Sequence, residues 1–181
     1  MASHDRPLIV QSDQTVLLEV SHPAFTEARD SLVRFAELVK SPEYVHTYRI
    51  SPLSLWNAAA AGLTAREVIR SLTQHSRFQV PSNVITEIEE QISRYGRLLL
   101  LRHPSGSLLL EADSPALLHS LLAQRSIAPH LGEVLHERGA TVKELSRGHL
   151  KNATIKLGYP IDDQAGYAEG EPLSFALRER T

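Results

Sequence analysis

Apolar residues recur along this chain in two rhythms, and each change of rhythm marks an element. In Pro7–Val20, PLIVQSDQTVLLEV, two short apolar runs flank Ser12-Asp13-Gln14, which predicts two strands around a tight turn. Ser21-His22-Pro23 predicts a helix start, with Ser21 as cap and Pro23 in the first turn. Phe25, Ala28, Leu32, Phe35, Ala36 and Val39 follow at helical spacing. Ser41-Pro42 predicts the stop, since the residue before a proline resists helical geometry. Tyr44–Ile50 alternates, with Val45, Thr47 and Arg49 on one side and Tyr44, His46, Tyr48 and Ile50 on the other, which is strand periodicity.

Three helices are predicted next. Ser51-Pro52 starts one that Gly62 ends, and Thr64-Ala-Arg-Glu67 is a capping-box pattern opening a second, with Val68, Ile69 and Leu72 on its apolar face. Val84, Ile85, Ile88, Ile92 and Tyr95 mark the third, closed by Gly96. RLLLLRH (97–103) and SLLLEA (107–112) flank Pro104-Ser105-Gly106 and predict a hairpin. Ser114-Pro115 opens a Leu-rich helix, Ala140–Val142 suggests a strand, and Ser146 caps a helix reaching Leu157. The remainder, Ile161–Thr181, reads as an exposed loop or linker.

The order helix, helix, helix, hairpin between Pro52 and Ala112 is that of a winged helix. The helix presented to a DNA groove would then be Asn83–Tyr95. Its outer face carries Glu87, Glu89, Glu90 and Gln91 against Arg94. Carboxylates beside phosphates are repelled, so protein contact suits this face better than base readout.

Composition narrows the classes further. The 181 residues suit one domain or two small ones, and 42% hydrophobic with 22% charged residues is ordinary for a globular protein. There is no cysteine, which excludes disulfides, zinc-thiolate sites and thiol nucleophiles and fits a reducing, cytoplasmic setting. No apolar run approaches membrane-spanning length, so no membrane partner is expected. The net charge of -2 lacks the basic excess of a protein that binds nucleic acid by bulk electrostatics.

Catalytic signatures are absent from the sequence. No glycine is followed by lysine and no glycine pair has phosphate-loop spacing, so no nucleotide cofactor is expected in this chain. The nine histidines include no HExxH, no HxH and no i,i+4 pair, and the nearest, His130 and His136, lie six apart. No metal is therefore expected. The adjacent pairs Glu89-Glu90 and Asp162-Asp163 read as solvated carboxylates, and no GxSxG elbow occurs. The densest basic stretch is Lys143, Arg147, His149, Lys151 and Lys156, relieved only by Glu144. Arg147 and Lys151 fall one helical turn apart, which admits either phosphate contact or a solvated helix face. Arg49, on the alternate face of its strand, is a candidate partner contact.

Four stretches carry a family resemblance: PLIVQSDQTVLLEVSHP, VHTYRISPLSLWNAAAAGL, VPSNVITEIEEQISRYGRLLLL and HLKNATIKLGYPIDDQAGYAEGEPL. In this order and extent they resemble the amino-terminal region of the XPB helicase family, bacterial type. The resemblance implies superfamily 2 DNA translocases with two RecA-like ATPase lobes, acting in DNA repair and transcription. It implies an amino-terminal region that contacts partner subunits and includes a damage-recognition-like domain. It also implies that this chain stops near where the first ATPase lobe would begin, as an excised fragment or a stand-alone version. ATP and Mg would belong to the motor, whose motifs the sequence does not contain.

The expected fold is α+β. Residues 1–112 form an amino-terminal domain with a mixed sheet and a winged-helix-like unit (helices about 52–95, hairpin about 97–112). Residues 113–167 form a smaller α/β damage-recognition-like module, and 168–181 a linker toward a motor. The expected role is a non-catalytic accessory region of an XPB-like helicase. Its expected partners are the motor domains in cis, weakly bound DNA and a protein. DNA would meet Lys143, Arg147, Lys151, Lys156 and His149, and a protein partner Arg49. The alternative is a stand-alone winged-helix-like protein-interaction module.

Overall fold

The computed structural model describes residues 5–166. The linker expected at 168–181 and the last residue of the second module lie outside the described residues. Within them the chain builds two sheets, each with its own apolar core.

The first sheet contains β1 (Leu8–Val10), β2 (Thr15–Glu19), β3 (Glu37–Lys40) and β4 (Val45–Arg49) in the order β1-β2-β4-β3, all antiparallel. The turn between β1 and β2 holds Gln14 at φ 69°, and the Thr15 N–H donates to Asp13 Oδ1 at 3.0 Å. That side-chain bond is how an aspartate stabilises a tight turn. Leu8, Val10, Val16, Leu18 and Tyr48 bury one face of this sheet. Against it pack α1 (Phe25–Leu32) and α3 (Ala65–His75), with α2 (Pro52–Ala60) and α4 (Ser82–Arg94) completing the core.

The local start signals account for α2 and α3. The Ser51 side chain accepts from the Ser54 N–H at 3.1 Å while Ser54 Oγ accepts from the Ser51 N–H at 2.9 Å. Thr64 and Glu67 form the same reciprocal pair at 3.3 and 2.8 Å. Each box satisfies two orphan donors at a helix start.

The predicted helix from Pro23 to Val39 is shorter than its spacing suggests. It begins at Phe25 with no side-chain cap and ends at Leu32, while Ser21 Oγ donates to Glu19 instead. Phe35 and Ala36 are buried from the turns beyond the helix. Residues 37–40 become a strand because β4 offers them a ladder, with Leu38 opposite Tyr48. Long-range pairing overrides local periodicity there.

The second sheet contains β5 (Leu98–Arg102), β6 (Leu108–Ala112), β7 (Leu131–His136), β8 (Gly139–Val142) and β9 (Ile161–Asp163) in the order β7-β8-β6-β5-β9. All its pairs are antiparallel except β9 beside β5. α5 (Pro115–Leu122) and α6 (Arg147–Lys156) contribute to its core through Leu117, Leu118, Leu121 and Leu150. Ile161–Asp163, expected in a loop, is thus a strand, and so is Leu131–His136, where the sequence pattern is unclear.

The β5–β6 hairpin follows the three helices as expected, but its strands pair outward with β8 and β9. Leu98, Leu100, Leu108, Leu110 and Ala112 are buried in the second core. Near-continuous runs such as LLLL and LLL need neighbours and cover that a free two-stranded wing does not supply. The two cores therefore divide near Tyr95-Gly96 and not at Ala112. Among the described residues no helix is long and apolar enough to cross a membrane.

Candidate functional site

Helix α6 carries most of the predicted basic cluster. Lys143 precedes it, and Arg147, His149, Lys151 and Lys156 lie along it. The cluster does not form one solvent-facing patch. The Arg147 guanidinium closes on Asp163 of β9, Nη2 donating to Oδ1 at 2.6 Å and Nε to Oδ2 at 3.0 Å. Its Nη1 donates to the Gly166 carbonyl at 2.7 Å. Lys151 Nζ donates to the same carboxylate, to Oδ2 at 3.0 Å. The helical spacing of Arg147 and Lys151 does bring them together, on an acidic partner within the fold.

Asp163 is the acceptor around which the helix is fixed. Its side chain is 10% exposed, against 17% for Arg147 and 36% for Lys151. Burial pushes its carboxyl up. The hydrogen bonds and charges of Arg147 and Lys151 outweigh that, so it titrates below the usual carboxylate range. The sequence reading of Asp162-Asp163 as a solvated pair is corrected for Asp163. The two residues point to opposite faces of a strand, as successive strand residues must.

The other candidates are dispersed. Lys143 Nζ donates to the Pro129 carbonyl at 2.7 Å, which ties it to the turn before β7. The exposed His149 ring stacks on His130, centroids 5.7 Å apart and planes 11° from parallel. Lys156 is exposed at the last turn of α6, where a cation also faces the helix C-terminal dipole favourably. Arg49 is exposed on the outer face of β4, across from Thr15 on β2 and Glu37 on β3. His46 points to the opposite face and meets the Phe25 ring edge-on at 5.3 Å. Among the described residues no group of three or more His, Asp or Glu side chains is placed to hold a metal ion.

Sequence reasoning missed a seam between the two cores. Helix α2 of the first core and α6 of the second border two adjoining hollows of about 490 and 240 Å³ that share Leu53, Trp56 and Ile155. The Tyr159 ring closes the seam, with the Arg94 and Arg97 guanidinium carbons 5.6 and 5.5 Å from its centroid. Arg97 in turn donates to Asp113 at 2.6 Å, and Arg94 pairs with Glu90. Tyr95 at the end of α4 is pushed up by burial, and also by the Asp162 charge and hydrogen bond. Gly158 makes the close fit possible. Its φ is +86°, and a Cβ there would stand 2.6 Å from Arg94 Nη1. These contacts join residues some sixty positions apart, so no local pattern announces them.

A bacterial DNA 3'-5' helicase XPB of Kineococcus radiotolerans is 45% identical over 175 residues, 97% of this chain and 31% of the relative. The one of Mycobacterium tuberculosis is 44% identical over 97% of this chain and 32% of its own length. A general transcription and DNA repair factor IIH helicase/translocase subunit XPB of Enterocytozoon bieneusi is 26% identical over 95% of this chain and 28% of its own. The chain thus spans about a third of the length of these relatives. The similarity to XPB proteins implied by the four sequence stretches therefore holds. The placement of the chain in an amino-terminal region gains no support, since the matching family is described by a carboxy-terminal domain. That family match runs over residues 8–136, from the first residue of β1 to the last of β7. It takes in the first core and the hairpin but leaves α6 and Asp163 outside. By that match the chain belongs to the helicase conserved C-terminal domain family.

Proposed function

We propose that this chain is a non-catalytic accessory module of an XPB-like DNA helicase, placing DNA or a protein partner beside an ATP-driven motor. The observation that carries the reading is the 45% identity to a bacterial XPB helicase across nearly the whole chain, joined to a fold without nucleotide-binding machinery in its sequence. Nucleotide-binding α/β folds set phosphates against a glycine-rich turn at the end of a parallel strand. The two sheets here are antiparallel apart from the β5–β9 pair, and no glycine pair has the required spacing. An amino-terminal position, with the second core in the place of the damage-recognition-like module, is part of this reading and rests on the four sequence stretches alone. DNA repair, transcription and a cytoplasmic setting belong to the same reading.

In this reading the DNA contacts narrow. Arg147 spends its guanidinium on Asp163 and Gly166, so it organises the site. Lys151 keeps ammonium donors beyond the one given to Asp163, and Lys156 is exposed one turn further on. These two are the contacts offered to phosphates along α6, and Lys143 and His149 are separate points near its other end. The stand-alone winged-helix-like reading keeps its helix order but gives its wing to the second sheet, so we do not adopt it. ATP hydrolysis by the purified chain, with and without forked DNA, tests the non-catalytic part. No turnover above buffer is expected. Turnover that follows the protein through purification contradicts it.

A further inference from the structure

The seam groove between α2 and α6 has a composition that neither the fold nor the helicase reading uses. Leu53, Ile155 and Leu157 remain 50%, 40% and 37% exposed although they stand together on its walls. Scattered apolar side chains need no explanation, whereas a converging set marks a surface that is covered in use. Its floor is Trp56, only 6% exposed. Trp56 Nε1 and the Oε1 of Gln91, both on groove-lining residues, are buried without a partner among the described residues. An unpaired donor and an unpaired acceptor together match the carbonyl and N–H of a peptide chain. Side-chain rotamer changes of the kind common on binding would open them to it.

Charge selects the occupant. α2 carries no ionised side chain, and α6 carries Arg147, Lys151 and Lys156 with no carboxylate. The groove is lined by Arg94, Lys151 and Lys156 against Asp163 alone; Arg94 already pairs with Glu90 and Lys151 with Asp163, so Lys156 is the lining cation that, among the described residues, faces no carboxylate. We propose that this groove docks an acidic, apolar-anchored peptide segment of a partner protein. Its apolar side chains cover Leu53, Ile155 and Leu157 while its carboxylates face Lys156 and the neighbouring cations. A nucleic acid would leave the apolar walls uncovered. A second copy in a two-fold contact would set this cation-lined patch against the same patch. The inference goes beyond the helicase-accessory reading and shares Lys156 with its DNA surface; variants of the apolar walls, Leu53 and Ile155, touch the peptide groove without removing a cation and so separate the two.

The test uses the full 181-residue chain and two fluorescein-labelled peptides. One places leucines at i, i+3 and i+7 among glutamates, and the other replaces every glutamate with lysine. Fluorescence anisotropy is expected to show the acidic peptide binding more tightly by about tenfold or more. Ile155→Asp and Leu53→Asp change exposed side chains, and circular dichroism checks that they fold. Each is expected to weaken the acidic peptide by about tenfold. Lys156→Glu narrows the difference between the two peptides. Equal binding of both peptides, binding unaffected by these variants, or no binding at millimolar peptide overturns the proposal. So does a concentration-dependent dimer in sedimentation that Ile155→Asp abolishes, which assigns the groove to a second copy.

Discussion

Arg147 grips the Asp163 carboxylate with two hydrogen bonds, 2.6 and 3.0 Å long, and so fastens α6 to the edge strand β9. Lys151 adds a third bond from the next turn of the helix. A bidentate, largely buried pair of this kind is costly to break from one side, because the remaining charge loses its partner. Asp163→Asn is therefore expected to destabilise the chain by roughly 1–3 kcal/mol, the upper range for buried pairs being discounted for Lys151's exposure. Chemical denaturation reads this directly. The same variant removes the carboxylate that Lys151 faces, so its affinity for duplex DNA at low salt should rise while its stability falls. A variant that loses stability and DNA affinity together would place Asp163 in the DNA surface itself.

Acid should unfasten the same joint. Asp163 and Asp113 are held below the usual carboxylate range: Asp163 by its two cations against burial, and Asp113 first by the Arg97 hydrogen bond. For a carboxyl whose folded pKa is depressed, the stabilisation is fully present above the unfolded pKa, about 4. It is lost as pH falls through the folded value. Thermal midpoints should thus be insensitive to these groups from neutrality down to about pH 5 and drop below about pH 4. In Asp163→Asn the acid limb should be shallower. An acid limb identical to wild type would mean that Asp163 has the same pKa folded and unfolded.

The hairpin's membership of the second core predicts where its mutations are felt. Leu110 is fully buried between β5 and β8, and Leu110→Ala should cost about 2–5 kcal/mol. Hydrogen exchange should then quicken in β8 and β9 more than in α2 and α3. Faster exchange confined to the three helices would instead attach the hairpin to them as a wing.

Much of the first core was legible because its signals are local. Ser51 with Ser54, Thr64 with Glu67, and the glycine stops at 62 and 96 act within a turn of the chain, and each falls where expected. The strand face of Tyr48 and Ile50 was readable for the same reason, both residues being buried while Arg49 between them is exposed. β3 was not legible, since Phe35 and Ala36 prolong a helical rhythm after the helix has ended. β9 was not legible either, because its strand exists through a parallel partner sixty residues away, Leu98 opposite Ile161. The basic cluster was found, but its purpose depended on Asp163, 12 and 16 residues beyond Lys151 and Arg147. A helical wheel shows which cations share a face. It does not show which carboxylate waits opposite.

That the outward lysines of α6 offer the module's DNA surface is tested most directly by titrating forked DNA against the chain at several salt concentrations. Wild type is compared with Lys151→Glu/Lys156→Glu. Each phosphate contact contributes a slope of about -0.9 in log K against log salt on duplex DNA. The expected result is weak, salt-sensitive binding whose slope falls by about two in the double variant. Salt-insensitive binding, or a slope unchanged by the double variant, contradicts the assignment of α6 as the DNA-facing element.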